Sequence, residues 1–217
     1  MNEKKFALER NQMVDLQIVA RGVNDQRVLN TMRSVPRHEF VPPEHREFAY
    51  RDAPLPITKE QTISQPYIVA LMTELLALEG GEKVLEVGTG SGYQAAILAY
   101  LADEVHTIER YAELARQAKK NLEKLGLDNV FIHIGDGSLG LPHEAPFDVI
   151  IVTAAAPSVP RELLKQLKEN GRLVIPVGGK GSQFLECWRK IEGVEECESI
   201  LPVAFVPLVG DQGWKEK

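Results

Sequence analysis

Cysteine is nearly missing from this 217-residue chain. The two that occur, Cys187 and Cys197, lie outside any CxxC or Cys/His cluster, which excludes a zinc ribbon and a disulfide framework. A two-residue loop at Glu192-Gly193 would set Cys187 opposite Glu198 rather than Cys197, so both are expected as free, buried thiols of a reducing compartment. No apolar run approaches the ~20 residues that cross a bilayer. The longest, Phe147 to Ala156, is broken by Asp148, and no membrane association is expected. The opening MNEKKFALERNQ has charges but no apolar stretch after them, so no secretory leader is read and a cytoplasmic location is expected. Basic blocks are missing as well: the net charge is -6 and the charges are scattered, which makes nucleic acid a poor partner. The five histidines lack HxxxH spacing, and no metal site is expected. There is no GxxxxGK[ST] loop, and Ser91 is no nucleophile elbow because Thr89 stands where GxSxG needs glycine.

The chain that remains changes character near residue 80. Before that point the spacing predicts helices over about Lys5–Ala20 and Asp25–Ser34, the second with Val28, Leu29 and Met32 on one side and Asp25 at its start. A stretch carrying Pro36, Pro42, Pro43, Pro54, Pro56 and Pro66 follows, able to hold little helix or sheet, and a helix is expected after Pro66. From Lys83 strands and helices alternate. Strands are expected at Val84–Val87, Val105–Ile108, Val130–Ile134, Val149–Thr153 and Leu173–Val177, with helices at Ala95–Leu101, Tyr111–Leu125 and Pro160–Glu169. Phe184–Ile191 and Val194–Leu201 read as an antiparallel hairpin turning at Glu192-Gly193. This is an α/β pattern. It predicts a Rossmann-like, doubly wound, mostly parallel sheet with helices on both faces, an antiparallel C-terminal hairpin and an N-terminal helical cap. One domain is expected, with residues 1–80 as cap and active-site loop and 81–217 as the ligand-binding core. Ligands of such folds bind beyond the carboxyl ends of the strands.

The segment Val84-Leu-Glu-Val-Gly-Thr-Gly-Ser-Gly92 places Gly88, Gly90 and Gly92, with Thr89 and Ser91 between them, directly after a strand, where a backbone free of Cβ can press against a ligand. Glu109 ends the next strand, 21 positions after Gly88, where a carboxylate can accept both hydroxyls of a ribose. Gly90 to Ala95 also satisfies the dinucleotide pattern GxGxxG/A, so glycine count alone leaves NAD open. Glu86, however, would be a poor neighbour for a pyrophosphate and a good one for the ammonium of a methionine moiety, directly or through water. Asp136, in Ile134-Gly-Asp-Gly137, can accept from an adenine amino group. Three acids at three successive strand ends describe S-adenosylmethionine better than NAD.

Together with this motif, the segment Glu60-Gln-Thr-Ile-Ser-Gln-Pro-Tyr67 and the closing Phe205-Val-Pro-Leu208 resemble the protein-L-isoaspartate O-methyltransferases, which repair damaged proteins. The resemblance runs nearly the full length and takes in Arg21-Gly-Val, Val35-Pro-Arg, Glu39-Phe-Val-Pro42, Ala145-Pro-Phe-Asp148 and Ile151-Val-Thr-Ala-Ala155. It implies methyl transfer from S-adenosylmethionine to the free α-carboxylate of L-isoaspartyl residues in damaged proteins and peptides; separately, a monomer is expected. Ser64 would be the active-site hydroxyl, in a loop where Thr62, Ile63 and Ser64 cover cofactor and substrate. Glu86, Gly88 and their neighbours would hold the methionine part, Glu109 the ribose, Asp136 and Gly137 the adenine. Phe205, Val206 and Pro207 would lie near the substrate peptide and offer backbone groups. Read from propensity alone, Ser64 is a turn hydroxyl capping the helix after Pro66. The chain departs from the family at Ile57-Thr58-Lys59-Glu60, where glycine is common; Thr58 is expected to stiffen the loop. The alternative reading is a methyltransferase for a small-molecule acceptor that shares only the cofactor site.

Overall fold

The structure, a computed structural model, describes residues 3–179 and 181–216. The N-terminal cap begins with α1 (Glu3–Met13), which runs on through a wider turn at Val14–Ile18 and a tight one at Val19–Arg21 before Gly22, at φ 93°, stops it. Helix α2 (Gln26–Ser34) starts where Asp25 accepts from the amides of Arg27 and Val28, a cap of the kind that contributes about 1 kcal/mol. The proline-rich stretch folds as tight turns at Arg37–Phe40 and Pro43–Phe48, then two minimal strands, β1 (Leu55–Pro56) and β2 (Thr62–Ile63), which pair antiparallel. Helix α3 (Pro66–Leu75) has proline in its first turn, where the missing N–H has no partner to lose.

The core alternates as the apolar rhythm predicts: β3 (Lys83–Val87), α4 (Tyr93–Ala99), β4 (Glu104–Glu109), α5 (Ala112–Lys124), β5 (Val130–Ile134), β6 (Phe147–Val152), α6 (Arg161–Lys165), β7 (Leu167–Gly179), β8 (Ser182–Ile191) and β9 (Val194–Val203). Seven of the strands form one sheet in the order β5-β4-β3-β6-β7-β8-β9. The first five strands in that order run parallel; β8 and β9 add on antiparallel. Two features differ from expectation. The helix expected over Pro160–Glu169 ends at Lys165, because Leu167 already pairs with Phe147 and Lys168 reaches Asp148. Asn170, at φ 62°, and Gly171 therefore sit inside an irregular start of β7 rather than at a helix end. Cys197 is exposed and only Cys187 is buried, although the hairpin turns at Glu192-Gly193 and sets Cys187 against Glu198 as read.

One apolar cluster joins the cap to the sheet, from Phe6, Met13, Ile18 and Met32 through Ala95 to Leu98 of α4 and on to Val105, Val174 and Leu185. A second fills the opposite face, between Leu85, Ile108, Ile150 and Leu173 on the strands and Leu163 of α6. Both faces of the sheet are thus covered, which fixes the open end of β3, β4 and β6 as the place where a ligand can reach the backbone.

Candidate active site

β3 is followed in sequence by β4 and β5 on one side, while β6 returns to its other side, so the chain switches direction between β3 and β6. A cavity of about 280 Å³ opens there, lined at the ends of these strands by Gly88, Gly90, Glu109, Thr153 and Ala154, and closed by Thr62 and by Val206 to Val209. The glycines are required by space as well as by conformation. Gly88 has φ 99°, and a Cβ there would sit 2.4 Å from Thr153 Oγ1; Gly92 has φ 87°, with Ala118 of α5 3.2 Å from the same position. Thr89 and Ser91 are buried between them, Thr89 sharing a 2.6 Å hydrogen bond with Thr107.

Glu109 closes β4 and takes two backbone donors, Gly90 N at 2.9 Å and Tyr111 N at 3.0 Å. The glycine turn and the second residue after β4 are thereby tied to one carboxylate that lines the cavity. Glu86 is fully buried on the neighbouring strand, directly opposite Thr107, whose hydroxyl donates to Oε2 at 2.5 Å. Its Oε1 has no partner, and burial, with a smaller push from Glu109, raises the carboxyl from 4.5 to about 8 despite the Thr107 bond. Glu86 lines a space of about 40 Å³ together with Thr62, Ile63, Ser64, Thr89 and Gln94.

Asp136 is used differently. Its Oδ1 accepts from Ser138 N at 2.9 Å and Ser138 Oγ at 2.7 Å, and its Oδ2 from Asp211 N at 2.7 Å. Burial alone would push the carboxyl up, but the bonds from Asp211 and Ser138 and the charge of Arg110 hold it below the usual range. The carboxylate thus pins the C-terminal segment over the site, and Gly137, not Asp136, lines the cavity.

The sequence profile of the protein-L-isoaspartate(D-aspartate) O-methyltransferase family matches residues 8–213. The chain belongs to this family. It is 55% identical over 210 residues to the protein-L-isoaspartate O-methyltransferase of Geobacter metallireducens, covering 96% of this chain and 97% of that one. With the enzyme of Methanoregula boonei it shares 54% over 207 residues, covering 95% of each. Among solved structures it resembles a protein-L-isoaspartate O-methyltransferase with a TM-score of 0.81 at 31% identity, over 98% of this chain and 67% of that chain. A second, from Plasmodium falciparum and solved with S-adenosyl-L-homocysteine, gives 0.81 at 28% identity over 92% of this chain and 98% of that chain.

Among protein-L-isoaspartate O-methyltransferases the seven-strand order found here answers the expectation of a Rossmann-like sheet with antiparallel C-terminal strands. In this member of the family a third space, about 400 Å³, lies on the far side of the loop and is lined by Pro54, Thr62, Ser64, Gln65, Ile68 and residues 202–205. Thr62 lines all three spaces, while Ser64 borders the Glu86 pocket and this groove. The helix after Pro66 takes no side-chain cap, and among the described residues the Ser64 hydroxyl has no hydrogen-bond partner, so the capping reading fails. Phe205 faces the groove, but Gln183 holds both its N–H (2.7 Å) and its C=O (3.2 Å), and Val206 O accepts from Ala155 N at 2.8 Å. Those backbone groups serve the fold; Val206 and Pro207 line the cavity at the strand ends instead.

Two family elements without an evident purpose in sequence acquire one. Arg21 pairs with Asp52 and lies 4.8 Å from the Tyr67 ring centroid, and Asp52 Oδ1 accepts from Gln65 Nε2 at 2.8 Å, so the cap braces the loop beside Ser64. Arg37 is fully buried, donates Nε to Ala49 O at 2.8 Å and stands 5.0 Å from the ring centroid of Tyr93, the residue that opens α4. Burial lowers its guanidinium to about 10. Lys59 and Glu60 adopt φ 60° and 56° at the tip of the β1–β2 loop, a conformation that favours glycine, and Lys59 pairs with Glu113 of α5 at 2.9 Å. The histidine spacing also missed a juxtaposition: His106 and His133, on adjacent strands, are 2.9 Å apart beside Glu144. Lys83 stands within 3.2 Å of Glu104 and 3.5 Å of Glu144, so the charges in that cluster are already paired.

Proposed function

We propose that this chain methylates the free α-carboxylate of L-isoaspartyl residues in damaged proteins and peptides, with S-adenosylmethionine as donor, as one domain and as a monomer in the cytoplasm. The observation that carries the reading is that the three spaces adjoin, with Thr62 lining all of them and Ser64 two, which sets an acceptor groove against the cofactor cavity. The shared core of cap and sheet supports a single domain. Among the described residues no helix is long and apolar enough to cross a membrane.

The residues fit the donor. Glu109 and Gly90 suit the ribose, Gly137 and Ile108 the adenine side, and Gly88 with Glu86 the methionine part. The unpartnered Oε1 of Glu86 asks for a donor, which a methionine ammonium supplies and a pyrophosphate does not. When bound, the cofactor supplies an electrophilic methyl group on a sulfonium.

The chain's own work is positional. An α-type carboxylate has a pKa of about 3.3–3.7 and is ionised at neutral pH, so no general base is needed. Ser64, with its hydroxyl free, donates a hydrogen bond that orients the incoming carboxylate. Thr62, which borders both groove and cavity, and Ile63 beside it narrow the junction and exclude water there; holding reacting atoms at ~3–3.5 Å in line supplies a large share of the rate. The neighbouring backbone amide nitrogen then attacks the methyl ester without help, expelling methanol and closing a succinimide, which water reopens to aspartate or isoaspartate.

Two peptides identical except for isoaspartate in place of aspartate, each incubated with methyl-labelled S-adenosylmethionine, test the reading. Base-labile label on the isoaspartyl peptide alone is expected. Label on neither, with cofactor still bound, would sink it.

A further inference from the structure

The pocket at Glu86 contains a second acceptor that lacks a donor. Gln94, in the first turn of α4, is 7% exposed and lines the same space of about 40 Å³. Its Nε2 donates to Thr73 Oγ1 at 2.9 Å, and Thr73 donates its hydroxyl proton to Val69 O at 2.7 Å. With that proton engaged, Thr73 can only accept from Gln94. The amide is therefore locked with nitrogen on Thr73, since the flipped form would set two acceptors against each other. The Oε1 left over is buried and unpartnered, as is Oε1 of Glu86. Buried oxygens without a donor are rare, and two around one small space call for a ligand group rich in N–H.

A primary ammonium offers three donors and a positive charge, matching one neutral and one acidic acceptor. Glutamine suits the second position better than glutamate would. A further carboxylate beside Glu86, in a buried place, would raise the penalty for ionising either. Resting on the cofactor reading above, we propose that Gln94 Oε1 recognises the α-ammonium of the cofactor's methionine moiety, alongside Glu86. The chain Val69–Thr73–Gln94 is what aims it, so α3 of the cap contributes to cofactor specificity through Thr73, which itself does not line the pocket.

Calorimetric dissociation constants for S-adenosylhomocysteine and its analogue lacking the α-amino group, measured on the full chain, test this. The wild type is expected to prefer the amino form by on the order of 10- to 100-fold. Gln94→Met, similar in volume, should weaken the amino form and leave the desamino analogue within about threefold, so that the preference collapses. Equal weakening of both ligands would mean a structural role, and an unchanged preference would mean a water or no contact; either overturns the proposal. Thr73→Val serves if the methionine variant does not fold: it removes the acceptor that fixes the Gln94 amide, so the preference for the amino form should fall, and an unchanged preference overturns the proposal. Failure of isoaspartyl labelling with this discrimination intact would refute the substrate reading and leave Gln94's role standing.

Discussion

The two carboxylates on neighbouring strands of the site are furnished in opposite ways. Glu109 receives two backbone amides and has each oxygen fixed before any ligand arrives. Glu86, closer to the middle of the sheet, receives one hydroxyl, keeps an unpartnered oxygen and sits in full burial. The first is a preorganised acceptor for neutral hydroxyls, whose strength does not depend on gaining a charge partner. The second is incomplete until a donor comes, and its ionisation is the variable. One pocket therefore selects by shape and the other by charge.

The comparison can be broken first at Glu109. Glu109→Ala orphans the Gly90 and Tyr111 amides and removes the hydroxyl acceptor, and S-adenosylhomocysteine affinity is expected to fall on the order of 100-fold, read by calorimetry. At the other end, Ser64→Ala should lower kcat on isoaspartyl peptide about tenfold while leaving S-adenosylhomocysteine affinity within about twofold. Equal losses in both would place Ser64 on the cofactor rather than the acceptor.

Glu86 sharpens the contrast through pH. Its carboxyl is raised from 4.5 to about 8 in the folded protein, so the folded state holds the proton that the unfolded state releases first. Its contribution to the stability of the ligand-free protein is complete below about 4.5 and declines as pH rises to about 8. Denaturant melts of Glu86→Gln against wild type should show the variant losing less over that window; parallel profiles would mean that Glu86 is ionised throughout. The smallest effect is expected at Lys59. Its pair with Glu113 is exposed, and Lys59→Ala should change S-adenosylhomocysteine affinity by less than about twofold.

The parts of the site legible in sequence are those whose chemistry is local. Gly88, Gly90 and Gly92 follow β3 directly, and Glu86 and Glu109 stand at fixed offsets from them, so strand-ending acids and a turn motif are enough to find them. The helix misread over Pro160–Glu169 fails because pairing with β6, a contact between distant segments, outweighs a helical apolar spacing. Gln94 carries no local signal at all. Its meaning comes from Thr73, 21 positions earlier, and from Glu86 across the pocket. Arg37 on Tyr93 and the Arg21–Asp52–Gln65 brace are invisible for the same reason: the first joins the cap to the core and the second ties the cap to the loop beside Ser64, each between distant residues. The resemblance supplied Ser64, where propensity alone would have chosen a cap that the structure does not form.

The two-residue pairing of β1 with β2 has a kinetic consequence. It places Thr62 in the wall of the cavity of about 280 Å³, the Glu86 pocket and the groove at once, so one side chain borders all three spaces. A change at that side chain is felt from both sides. A substitution of Thr62 is therefore expected to change the Michaelis constants for both S-adenosylmethionine and the peptide, read by steady-state kinetics with each varied in turn.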